Sequence, residues 1–191
     1  MLKALGYAIG SILSAVHNPG RSKLNEGKQR WQSLGLYADP TMQYGIKNPQ
    51  VGGHKDHPQV IAAGKLIQEA IDFIDSSASD SADAMSNKAV AYQELGLMYR
   101  ATNQFHLSET AFSNSLKILE HFGGYSSDNK KILRAYRETC FRIGELNHTL
   151  GNSAKAEEFY KNCLRVDGIL DHDQPIDERI TKDLLEQVQR G

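Results

Sequence analysis

Cysteine is scarce in this chain, whose 191 residues hold only Cys140 and Cys163. The expected state of both is a buried, reduced thiol packing as a small apolar group. A disulfide is the alternative and requires an oxidising compartment. Neither thiol has a histidine placed by sequence to activate it. A long hydrophobic run is also missing. Residues 1–17, MLKALGYAIGSILSAVH, form the most apolar stretch at the N-terminus, shorter than the roughly 20 residues a spanning helix needs. No phosphate-cradling loop is present, because Gly52-Gly53 and Gly123-Gly124 lack the lysine and serine of such a motif and read as turns or helix stops. A strong charge of one sign is absent too, the formal net charge being −1. Without a basic-aromatic array beyond the first thirty residues, nucleic acid is not an expected partner.

Metal and catalytic signals are equally thin. His54, Asp56 and His57 in GGHKDHP are the only cluster that suggests an enzyme, but no nearby cysteine or further histidine completes a four-ligand set. The expectation is no metal, no cofactor and no catalysis, with a His54/Asp56/His57 site as the enzyme alternative. Asn147-His148-Thr149 matches a glycosylation sequon inside an expected helix.

What the chain does contain is a repeat. Tyr92, Leu95, Gly96 and Tyr99 precede Ser108, Phe112 and Ser115, and the spacing returns 48 positions later in Cys140, Ile143 and Gly144 followed by Ala156, Tyr160 and Cys163. Apolar residues at steps of three and four share one helical stripe. Gly96 and Gly144 remove a side chain on that stripe, so a second helix can approach closely. A unit that cannot bury its apolar face alone and is used twice implies a stacked helical array.

These residues resemble the tetratricopeptide repeat family, whose pattern is Trp-x2-Leu-Gly-x2-Tyr followed by a small-aromatic-small series, with a period of about 34 residues. One unit spans about residues 89–122 and a weaker one about 137–168, where Asn147 stands for the expected aromatic and Gly151 marks the turn. The interval of 48 leaves a surplus in HFGGYSSDNKKILRAYRE, expected to lengthen helices and a loop, with a stop at Gly123 and Gly124 and a start at Ser127 or Asp128. The resemblance implies an all-α fold: a right-handed superhelical array of antiparallel helix pairs, an α-solenoid, closed by a C-terminal capping helix with Ile176, Ile180, Leu184 and Val188 on one stripe.

The expected organisation is an amphipathic helix and basic arm over 1–27, a degenerate repeat and connector over 28–83, and the helical domain with its cap over 84–191. In the middle part Trp31, Leu34 and Gly35 mimic a first-helix opening cut short by Asp39-Pro40, and Ala63, Ile67 and Ala70 have second-helix spacing within about Gln59 to Asp75. The first thirty residues carry Lys3, Arg21, Lys23, Lys28 and Arg30 against Glu26 alone.

The resemblance also implies a function: a noncatalytic module that binds a protein or peptide segment in the concave groove. It assigns to that groove Gln93, Leu97, Arg100, Glu138, Phe141, Arg142, Glu145 and His148, side chains expected to be dispensable for helix packing. Gln93 and Leu97 stand where the subset that clamps acidic chaperone tails uses lysine and asparagine, so that activity is not expected. The alternative is a membrane-associated or organellar assembly factor targeted through residues 1–17, which as a helix would align Leu2, Leu5, Ile9, Ile12, Leu13 and Val16. A cytoplasmic location is the leading expectation, and so short an array is expected to dock on a larger complex or on a second copy.

Overall fold

A computed structural model describes residues 20–33, 55–77, 80–170 and 175–190. Among them the regular elements are helices α1 (Arg21–Gln32), α2 (Pro58–Ser76), α3 (Ala82–Ala101), α4 (Phe105–His121), α5 (Lys130–Thr149), α6 (Ser153–Asp167) and α7 (Pro175–Arg190), with a 3-10 turn at Gly124–Ser126 and no strand. α1 packs on α2, α3 on α4 and α5 on α6, while α2 meets α3, both α3 and α4 meet α5, and α7 lies on α6. The result is an α-solenoid of stacked helix pairs. The arm expected over 1–17, together with Leu34, Gly35 and Asp39-Pro40, lies outside the described residues.

Each pair closes on a notch. A Cβ at Gly96 would stand 2.5 Å from the Phe112 ring, and one at Gly144 would stand 2.5 Å from the Tyr160 ring. The aromatic of the second helix therefore fills the space that glycine vacates in the first. Ser108 adds a tie across the α3–α4 contact by donating from Oγ to the Gly96 carbonyl at 2.8 Å. The turns repeat as well. Asn103 and Gly151 take up the left-handed conformation, with φ of 58° and 76°, and the following amides, Gln104 and Asn152, donate to the Tyr99 and Asn147 carbonyls, each at 2.8 Å.

Asn147 is buried, and its polarity is satisfied locally. Its amide donates to the Ile143 carbonyl at 2.9 Å, and its side-chain oxygen accepts from Asn152 at 3.3 Å. It takes the place of an aromatic by anchoring the turn, and its burial leaves no room for a glycan. The surplus residues extend α4 to His121, form the 3-10 turn after Gly123 (φ 95°) and Gly124 (φ 53°), and supply the first turns of α5. α5 starts later than Ser127 or Asp128 because Asn129 is its N-cap, accepting from Lys131 N at 2.9 Å.

The first pair is a third copy of the same joint, in a different register from the one the sequence suggests. α1 begins before residue 28, so the expected 27/28 boundary cuts a continuous helix, and the 83/84 boundary likewise falls inside α3. The notch glycine is Gly27, whose Cβ would stand 2.7 Å from Ile67 Cγ1, and Trp31 is buried at the end of α1. Ala63, Ile67 and Ala70 of α2 are fully buried, as their spacing predicts. One apolar cluster joins α1, α2 and α3, another joins α5, α6 and α7, and Phe112, Ile143 and Leu146 bridge the middle pairs. At the C-terminal end Ile180, Leu184 and Val188 face that second cluster. The side chain of Ile176 is outside the described set.

Candidate functional site

The eight residues assigned to the groove lie on α3 and α5, and the structure divides them. Leu97, Arg100, Glu138 and His148 keep half-buried surfaces, whereas Gln93, Phe141, Arg142 and Glu145 are buried. The expectation that all eight are dispensable for packing is therefore corrected for the second four. Gln93 turns into the joint between α3 and α5, where its Nε2 donates to the Ala135 carbonyl at 2.8 Å and to Thr139 Oγ1 at 2.6 Å. Thr139 in turn donates to Ala135 O at 2.8 Å, so Ser115 of α4, 3.0 Å away, is the donor to Thr139. Three helices thus meet at one buried polar node. Phe141 packs its ring 6.1 Å from that of Tyr160, and the Arg142 guanidinium lies over the Phe141 ring, 5.3 Å from its centroid.

A second network runs along the same joint. A single oxygen of Glu145, Oε2, accepts from Arg100 Nη1 and from Arg142 Nη1, each at 2.9 Å, while Arg142 also grips Glu138 Oε1 through Nε at 2.8 Å and Nη2 at 2.6 Å. Burial pushes the Glu145 carboxyl up, but Arg100 and Arg142 outweigh it and hold the group below its ordinary value. Four charges of the expected groove are therefore bonded to one another. Burial likewise raises the Tyr160 phenol, with Glu145 adding to the effect.

Sequence reasoning missed the row contributed by α1. Lys28 Nζ lies 2.5 Å from Glu94 Oε1, linking α1 to α3 as Arg100 and Glu145 link α3 to α5. Glu94 is buried, and its second oxygen has no hydrogen-bond partner among the described residues. A signal was present: Gly27, Gly96 and Gly144 set a common register that places Lys28, Leu97 and Glu145 at the same point of their helices. Two other bases of this region are also engaged, Lys23 with Glu69 at 2.7 Å and Arg30 with Glu26 at 2.9 Å.

The histidine alternative gains no geometry. His57 is the N-cap of α2, with Nδ1 accepting from Gln59 N at 3.2 Å, Asp56 is exposed beside Lys55, and His54 lies outside the described residues. Among the described residues no group of three histidine, cysteine or acidic side chains is arranged to hold a metal, and no helix is long and apolar enough to cross a membrane. Residues 138–169 match the family model of the tetratricopeptide repeat. No curated protein and no solved structure matches the chain.

Proposed function

We propose, from the tetratricopeptide repeat match at residues 138–169 and the stacked helix pairs around it, that the chain is a noncatalytic adaptor or assembly subunit that captures a segment of another protein along α1, α3 and α5. The observation that carries this reading is the row of partly open side chains, Lys28, Leu97, Arg100, Glu138 and His148, set across three successive first helices. Leu97 offers an apolar seat, and the flanking charges offer hydrogen bonds to a partner backbone or side chain. Gln93, Phe141, Arg142 and Glu145 act beneath that row as its support, fixing the spacing of the helices. Lys28 with Glu94, Arg100 with Glu145 and Arg142 with Glu138 cancel in sign, so the partner is selected by shape and mixed polarity more than by a single strong charge.

The test is capture by the immobilised full chain, scored against surface variants. Leu97→Asp and His148→Asp are expected to lose the captured protein, at unchanged helicity and melting temperature, while Lys117→Glu on the exposed side of α4 retains it. Retention by both inner-row variants would place the docking surface elsewhere.

A further inference from the structure

Each of the two joints holds a buried glutamate, and the two are completed differently. Glu145 of α5 accepts from a cation of the preceding pair, Arg100, and from one on its own helix, Arg142, each at 2.9 Å. Glu94 of α3 also accepts from a cation of the preceding pair, with Lys28 Nζ 2.5 Å from Oε1. Its own helix supplies no second one, because the neighbours one turn away are Val90, Ala91, Leu97 and Met98. The other oxygen, Oε2, is buried and has no hydrogen-bond partner among the described residues.

A carboxylate oxygen shut away from water without a donor is costly, and buried polar groups in folded proteins are normally paired. The joint around Glu94 is an apolar contact through Leu95, Met98 and Ile67, to which a half-paired carboxylate adds little. Its position points instead to the inner row. Glu94 stands two residues before the notch glycine Gly96, as Arg142 does before Gly144. Lys28 belongs to that row and keeps 41% of its side chain exposed, so the carboxylate is approached from the open side. An ammonium is a compact point charge on a flexible stem and satisfies one oxygen here. A guanidinium is a planar fork that pairs with both oxygens of a carboxylate at once.

Resting on the reading that a guest lies along α1, α3 and α5, we infer that Glu94 is the recognition site for one arginine side chain of that guest. Lys28 holds the site in the unbound chain and swings toward solvent when the guest arrives. The terminal torsion of a glutamate is soft, so the carboxylate turns to meet the fork, and Oε2 gains the donor it lacks. Lysine on the guest would exchange one ammonium for another, which makes the site selective for arginine. The rest of the row keeps its mixed polarity, with this single fixed requirement inside it.

The test pans a library of random linear peptides on the immobilised full chain and keeps those that Leu97→Asp no longer binds, so that inner-row ligands alone are scored. These peptides are expected to share an arginine at one position, and synthetic copies with lysine or glutamine there should bind about tenfold more weakly. Glu94→Gln should lose the same factor for the arginine peptide yet bind the glutamine peptide as the wild type does. Lys28→Met, which removes the competing cation, should hold the arginine peptide several-fold tighter. Circular dichroism checks the fold of each variant, and were Glu94→Gln to misfold, Lys28→Met and the lysine peptide decide. Inner-row peptides without a shared arginine, equal affinity of wild type and Glu94→Gln for them, or weaker binding by Lys28→Met would refute the arginine site and leave the inner row standing. If Leu97→Asp rejects none of the selected peptides, the inner row fails and the arginine site with it.

Discussion

The two joints that stack the three helix pairs are built differently. Between the first and second pairs the contact is chiefly apolar, with Val60, Ala63, Ile67, Leu95 and Met98 in one cluster and the ion pair Lys28–Glu94 at its inner edge. Between the second and third pairs the Phe112–Ile143–Leu146 cluster is joined by the buried Gln93–Thr139–Ser115 node and by the Arg100–Glu145–Arg142–Glu138 chain, which is buried at Arg142 and Glu145 and half-buried at its two ends. An apolar contact tolerates sliding, because its energy depends on area more than on direction. A buried polar contact fixes one arrangement, because any other leaves donors or charges unmatched. The second joint is therefore the one that sets the geometry of the inner row.

The sharpest way to break that contrast is Glu145→Ala, which takes the carboxylate from Arg100 and leaves Arg142 with Glu138, and is expected to cost about 3 kcal/mol or more in urea-induced unfolding. Lys28→Met at the first joint should cost only about 1–2 kcal/mol, because Lys28 is 41% exposed and water reaches the site as it opens. Equal losses at the two joints would erase the distinction. Gly96→Ala and Gly144→Ala come next, at about 3 kcal/mol each, because the added methyl would meet an aromatic ring at 2.5 Å in both pairs. Gly151→Ala is the control: among the described residues nothing lies within 4 Å of where its Cβ would be, so the left-handed turn alone is strained, at about 1 kcal/mol. Thr139→Val should cost about 1–2 kcal/mol, since it leaves Ser115 without its buried partner while Gln93 keeps the Ala135 carbonyl.

The finest probe is pH. Because the folded Glu145 carboxyl lies below its unfolded value, its contribution is complete above the ordinary carboxylate range, around 4.3, and is lost as pH falls through the lower folded value. Urea midpoints of the wild-type chain should fall with acidification through that window, and Glu145→Gln should flatten this part of the profile. An unchanged profile in the variant would assign the acid sensitivity to another carboxylate.

Packing within a pair was legible in the residues, because a glycine in one helix and a ring or branched chain in the next must appear at fixed spacing for the two to touch. Gly96 with Phe112 and Gly144 with Tyr160 are the cases. Contact between pairs was not legible, because equivalent positions carry unrelated chemistry, Glu94 against Arg142 and Leu97 against Glu145, and what each meets depends on its neighbour's register. Phe141 is the example: its position in the repeat assigns it to the groove, yet it packs against Tyr160. The first pair was displaced in the reading because α1 offers only Leu24, Gly27 and Trp31 as a stripe in an otherwise polar twelve residues, and a long insertion separates it from α2.

The sharing of one Glu145 oxygen between Arg100 and Arg142 has a mechanical consequence. Arg142 and Glu145 share α5, so the bond from Arg100 is the part of this triad that crosses between pairs, and drawing Arg100 aside would loosen that tie while Arg142 stays held by Glu145 and Glu138. Under the proposed function, a guest that competes for Arg100 would therefore act on the angle between two pairs as well as on the inner row.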